Sequence, residues 1–249
     1  MASMSTADSS RVTNAQLVLL GAFGIAMGLL EAIVVVYLRE LYFPDGFRFP
    51  LRFLPERMLR MEMLRELATI VMLSALAMVA ARKAVLRFAV FLLSFGVWDI
   101  FYYVFLKILL DWPQSFFTWD VLFLIPLTWL GPVLAPVICA LLMIGLGLSF
   151  ILLDRNYGPV RADKIAWLLM ASGAALVVLS FVRDYAGIII QGGYGKDFAG
   201  LAGNKAFQAA VAEFVPGRFS WGLFGAGVVL VALSAMTIFR QTTHRINDA

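Results

Sequence analysis

Asp99 is the residue in this sequence best placed to do chemistry. It sits in the middle of residues 87–110, RFAVFLLSFGVWDIFYYVFLKILL, a stretch long and apolar enough to cross a bilayer. A charged side chain at mid-membrane depth costs at least about 2.5–3.5 kcal/mol, so such groups are usually paired and usually functional. At helical spacing Tyr103 and Lys107 follow Asp99 in four-residue steps, and Phe95 and Gly96 lie one turn the other way. A polar stripe is therefore expected from mid-membrane to one surface. A second carboxylate, Glu31, shares a helix face with Gly21, Gly24 and Gly28, and Arg39 follows two turns on. Small residues admit a neighbouring helix, which places Glu31 in a helix interface rather than in lipid.

Glu62, Arg65 and Glu66 fall within about one turn of each other, and Arg183 and Asp184 lie near the far end of a later apolar run. Together with Asp99, Glu31, Tyr103, Lys107 and Arg39, these residues are expected to form a ligand-binding or proton-coupling cavity opening outward, with Asp120 at similar height. A desolvated carboxylate can exchange a proton with a bound solute. An arginine can hold a phosphate or carboxylate. Two carboxylates in different environments can act as general acid and base.

Each group also has a plainer reading. Arg39, Lys107 and Arg183 stand near helix ends, where long side chains snorkel to the interface. Glu62, Arg65 and Glu66 suit an interfacial ion-pair cluster. Asp99 and Glu31 suit a structural bond between helices, and Tyr102 and Tyr103 suit packing. The glycines of QGGYGK follow no strand and open no clear helix, so they read as a flexible loop rather than a phosphate cradle.

The elements that must position these residues follow from composition. Of 249 residues, 62% are hydrophobic and the mean hydropathy is +0.89, well above the ~45–50% apolar share of soluble domains. The fold expected is all-α: a polytopic integral membrane bundle of six transmembrane helices. The spans are about 15–38, 62–81, 88–109, 132–153, 165–190 and 219–239, in one domain over 15–239. Residues 1–14 and 240–249 read as cytoplasmic tails, the first disordered. The first span is too long for a signal-peptide core and lacks a cleavage site.

Before the fourth span lies a Pro/Trp-rich segment, read as interfacial or re-entrant, with Trp112, Trp119 and Trp129 at headgroup depth. Pro126, Pro132 and Pro136 are expected to break the long apolar run over 121–153, as in the discontinuous helices that line midplane transport sites.

The arginine- and lysine-rich connections at 82–87 and 155–164, with Arg240 and Arg245, mark the cytoplasmic side by the positive-inside rule. Both termini are then inside a plasma (inner) membrane, and the outer loops are the longer and more acidic. The single cysteine, Cys139, excludes an internal disulfide. The single histidine, His244, excludes bis-histidine haem and a histidine-built zinc or copper site. No cofactor is evident, and a carboxylate-held divalent cation stays open because such ions take oxygen ligands.

Three functions fit. The first is a small-solute or ion-binding membrane protein, a transporter or a transporter's binding subunit. The second is a membrane-embedded enzyme with a carboxylate acid/base pair acting on a lipid or isoprenoid. The third is an accessory subunit of a larger complex, with the glycines of the first span and Gly222, Gly225 and Gly227 facing a partner. The partners expected are the bilayer, a small-molecule or lipid ligand, and a homodimer mate or second membrane subunit. The net charge of +4 reflects topology and implies no nucleic acid. A cavity holding Asp99 with an arginine favours binding or transport, and a direct interhelix pair at Asp99 favours a structural role.

Overall fold

The computed structural model describes residues 11–50, 54–197 and 200–243. The expected tails, apart from residues 11–14 and 240–243, lie outside the described residues, as do His244 and Arg245. Six helices are long and apolar enough to cross a membrane. They are α1 (Asn14–Tyr42), α2 (Glu56–Ala80), α3 (Ala84–Leu110), α4 (Leu134–Tyr157), α5 (Lys164–Gln191) and α7 (Trp221–Thr243), with a short α6 (Lys205–Ala212) before the last. The chain is a multi-pass helical bundle of the membrane type.

Local chemistry sets several boundaries. Thr13 and Gln16 form a reciprocal capping box that starts α1, the Asp163 carboxylate accepts the Ala166 N–H at the start of α5, and Asn204 caps α6. Gly158, at φ +84°, ends α4 in a conformation that a Cβ would strain. α1 continues to Tyr42 and α2 starts at Glu56, so Arg39, Glu62, Arg65 and Glu66 all lie inside helices.

The Pro/Trp-rich segment is a two-stranded antiparallel hairpin, β1 (Trp119–Phe123) paired with β2 (Trp129–Pro132). The expectation of a proline-broken fourth span is corrected here. Pro126 lies between the strands, Pro132 ends β2, and Pro136 falls in the first turn of α4, where a missing N–H costs no helical bond. α4 is continuous. The indoles expected at headgroup depth are packed within the protein. Trp112 is buried, and Trp119 and Trp129 pack edge-on against Phe219 and stacked against Phe181.

Close backbone approach at glycines builds the bundle. Gly24 and Gly28 let α1 lie on α3, Gly96 and Gly147 let α3 lie on α4, and Gly173 and Gly227 face each other between α5 and α7. Gly24, Gly28 and Gly227, expected to face a partner, are thus used within the chain, while a Cβ on Gly21, Gly222 or Gly225 would meet open space. α4 also packs on α7. The helices form an open horseshoe in the order α2, α3, α4, α7, α5, with α1 on α3. α2 rests mainly on α3, and no packing seam comparable to the others joins α2 to α5 across the mouth.

One end is tied by polar bonds. Arg155 donates to the Val12 carbonyl, Lys83 holds Asp154 at 2.7 Å, and the backbone N–H groups of Arg161 and Asp163 donate to Thr242 and Gln241. This end gathers the Arg82, Lys83, Arg155, Arg161 and Lys164 connections. The hairpin and α6 occupy the opposite end.

A Cβ at Gly173 would stand 2.7 Å from the Gly227 carbonyl oxygen, so backbone must move to admit it. Gly173→Ala should therefore cost about 1–3 kcal/mol and lower the melting temperature of the detergent-solubilised protein. Gly225→Ala, into open space, should leave it unchanged or raise it slightly. Equal effects at the two positions would refute the α5–α7 seam.

Candidate functional site

The horseshoe encloses a cavity of about 540 Å³ that reaches from the hairpin end deep into the bundle. Volumes of ~300–1,000 Å³ are typical of small-molecule sites. Its ionisable lining is confined to the hairpin half: Glu31 and Arg39 from α1, Glu62, Arg65 and Glu66 from α2, Asp99 and Tyr103 from α3, and Asp120 from β1. These residues come from four elements, and three polar assemblies hold all of them except Asp99.

The first assembly centres on Arg39, which is buried rather than snorkelling. Its guanidinium lies 3.8 Å from the centre of a Trp112 ring and 4.4 Å from that of Phe47, and reaches Asp120 at 3.6 Å. The Tyr103 hydroxyl donates to the other Asp120 oxygen at 3.0 Å. Cation–π contacts gain strength where water is excluded, as at this site. Burial pushes the Asp120 carboxyl, on the hairpin outside the spanning helices, up to about 6, opposed by Arg39, the Tyr103 hydroxyl and the Val121 N–H.

The second assembly joins α1 to α2. Arg65 forms an ion pair with Glu31 and donates to Glu62 at 2.8 Å. In the third, Glu66 accepts the Leu124 N–H with both oxygens, at 2.9 and 3.1 Å, and so fastens the hairpin tip to α2. That backbone donor has no mate in the hairpin ladder, so the carboxylate satisfies it.

Asp99 differs from these. Its side chain lines the cavity and is partly accessible from it, yet it makes no hydrogen bond or ion pair among the described residues. Around it runs an aromatic wall. Phe95 meets Trp98 edge-on and stacks on Phe123, Phe123 leans on Trp129, and Trp129 stacks on Phe181. The indole N–H groups of Trp98 and Trp129 are buried without an acceptor among the described residues.

Beyond this wall the lining is apolar, including Leu92 of α3, Leu142 and Leu146 of α4, Met170 and Val177 of α5 and Val231 of α7. Lining residues on α3 run from Phe88 to Tyr103 and on α5 from Met170 to Tyr185, about 22 Å along each axis. Among the described residues α2 and α5 share no close packing seam, and the cavity between them is not fully enclosed.

Three residues expected at the site stand apart from the cavity. Lys107 is half exposed at the end of α3, paired with Asp111 at 2.6 Å. Arg183 is exposed and donates to Ser220 at 2.6 Å, and Asp184 beside it does not line the cavity. Lys107 and Arg183 have local partners at helix ends, where spacing on one helix says nothing about which face turns inward. Among the described residues, no three His, Cys, Asp or Glu side chains come together as a metal-holding group.

Arg39→Ala would strand Asp120 in a buried site, which should cost about 3–5 kcal/mol and show as a large fall in melting temperature. The double variant Arg39→Met with Asp120→Asn removes both charges and should recover most of the loss. A double variant no more stable than Arg39→Ala would mean the two residues are not energetically coupled.

No protein-family model, curated protein or solved structure matches this chain.

Proposed function

We propose that this membrane protein binds a single lipid-like amphiphile, its polar head beside Asp99 at the hairpin end and its chain along the apolar half of the cavity. The observation that carries this reading is the segregation of the lining. Ionisable side chains occupy one half, and Leu92, Leu146, Met170 and Val231 the other. A carrier for a small hydrophilic solute or ion needs polar groups along its whole path, and the deep half offers none among the described residues. An apolar chain fits it. From Asp99 to Phe88 the lining runs about 16 Å along α3, about half of a ~30 Å hydrocarbon core, so it takes a chain of roughly leaflet depth.

The mouth between α2 and α5 supplies a route from the bilayer that does not require the head to cross water. With the basic end placed in the cytoplasm by the positive-inside rule, the head lies toward the outer leaflet.

Lipid extracted from the purified protein tests the proposal. Mass spectrometry should find one amphiphile enriched over the host membrane, near one per chain. Val178→Trp, which places an indole in the apolar half of the lining, should lose it while the variant still folds. Identical lipid profiles for both proteins, matching the bulk membrane, would overturn the reading.

A further inference from the structure

Resting on that amphiphile reading, we infer that the head group bound at Asp99 is a protonated amine, so that the ligand class is a long-chain ammonium amphiphile. The argument begins with charge. At the hairpin end the cavity is lined by five carboxylates, Glu31, Glu62, Glu66, Asp99 and Asp120, and two arginines, Arg39 and Arg65. Both arginines are already engaged: Arg39 by Asp120 and by two aromatic faces, Arg65 by Glu31 and Glu62. Among the described lining residues, a phosphate or carboxylate head would meet no free cation and would have to displace a carboxylate to gain one.

The open group is the Asp99 carboxyl. The carboxylates that share this half of the cavity include Asp120 and Glu31, and the arginines that pair with them leave Asp99 without a cationic partner among the described residues. An isolated carboxylate inside a span is costly and needs a proton or a cationic partner. A ligand ammonium supplies that partner, together with hydrogen-bond donors that a carboxylate accepts.

The wall beside Asp99 has the matching chemistry. Phe95 and Tyr102 lie one turn either side of it on α3, and Trp98, Phe123 and Trp129 continue the surface. Aromatic faces beside a carboxylate recognise alkylammonium groups through cation–π attraction, strongest where water is excluded. The apolar half of the cavity then takes the chain.

The test uses three probes of one chain length, hexadecylamine, hexadecanol and hexadecyl phosphate, each at fixed mole fraction in non-ionic micelles, with butylamine as a short-chain control. Thermal unfolding is followed for wild type, Asp99→Asn and Phe95→Leu. Hexadecylamine should raise the wild-type melting temperature by ~5 °C or more near saturation, and the other two much less. Asp99→Asn should weaken the amine at least about 30-fold, as expected for truncating a buried charge pair. Phe95→Leu, which keeps the carboxylate, should weaken it by a smaller factor and serves if Asp99→Asn does not fold.

A larger shift with the phosphate or the alcohol than with the amine would overturn the ammonium assignment and leave the amphiphile reading standing. An amine shift unchanged in both variants would do the same. No shift with any probe, or an equal shift with butylamine, would overturn the amphiphile reading itself.

Discussion

The structure depends on how charge is matched where water is scarce, and Arg39 is the clearest case. A guanidinium buried on α1 needs an anion and a weakly hydrated setting, and here it has Asp120 on one side with the faces of Phe47 and Trp112 around it. To deliver Asp120, the chain between α3 and α4 must fold back as a hairpin, because no spanning helix carries a carboxylate to that point. To hold the hairpin, Glu66 of α2 takes the Leu124 N–H, and β2 packs against α5. The polar bonds at this end therefore do what apolar packing cannot. They tie helices that scarcely touch, α1 to α2 through Glu31 and Arg65 and α2 to the hairpin, while the space between those helices stays clear.

Glycine seams supply the opposite condition elsewhere. Where Gly96 and Gly147 bring α3 to α4, or Gly173 and Gly227 bring α5 to α7, the backbones are too close for anything to come between them. The two tight units, α1–α3–α4 and α5–α7, meet along α4 and α7 and diverge toward α2. The cavity is the volume between them. Small residues at helical spacing thus close one side of the horseshoe, and no seam of that kind joins α2 to α5 among the described residues.

This division explains what the sequence could disclose. Helix number and approximate extent were legible because ~20-residue apolar runs have few other meanings. Glu31, Arg39, Arg65, Glu66, Asp99 and Tyr103 stood out because a charged or hydroxylated residue in such a run is costly unless used. The aromatic wall and the deep lining were not legible: Leu92, Met170 and Val231 would be apolar whether they faced lipid, a neighbouring helix or a cavity. The prolines of the hairpin misled for a related reason. Proline marks a departure from helix without saying whether the helix breaks or has yet to begin, and only the pairing of Trp119 with Pro132 decides it. Lys107 and Arg183 looked like Arg39 by position, yet they found partners at the ends of their own helices or nearby.

The contrast among the carboxylates bears most on what the cavity is for. Glu31, Glu62, Glu66 and Asp120 each have a donor: an arginine, a backbone N–H or a tyrosine hydroxyl. The fold can therefore supply partners at this depth, and a carboxylate serving only to join helices would be expected to have one. Asp99 has none among the described residues, and it faces a space that cannot remain void. In a bilayer, lipid chains entering between α2 and α5 can fill the apolar half at little cost. Chain filling alone cannot choose among lipids, because one saturated chain resembles another. Selectivity must then come from the polar half, where every other charge is already matched, and so from what Asp99 accepts.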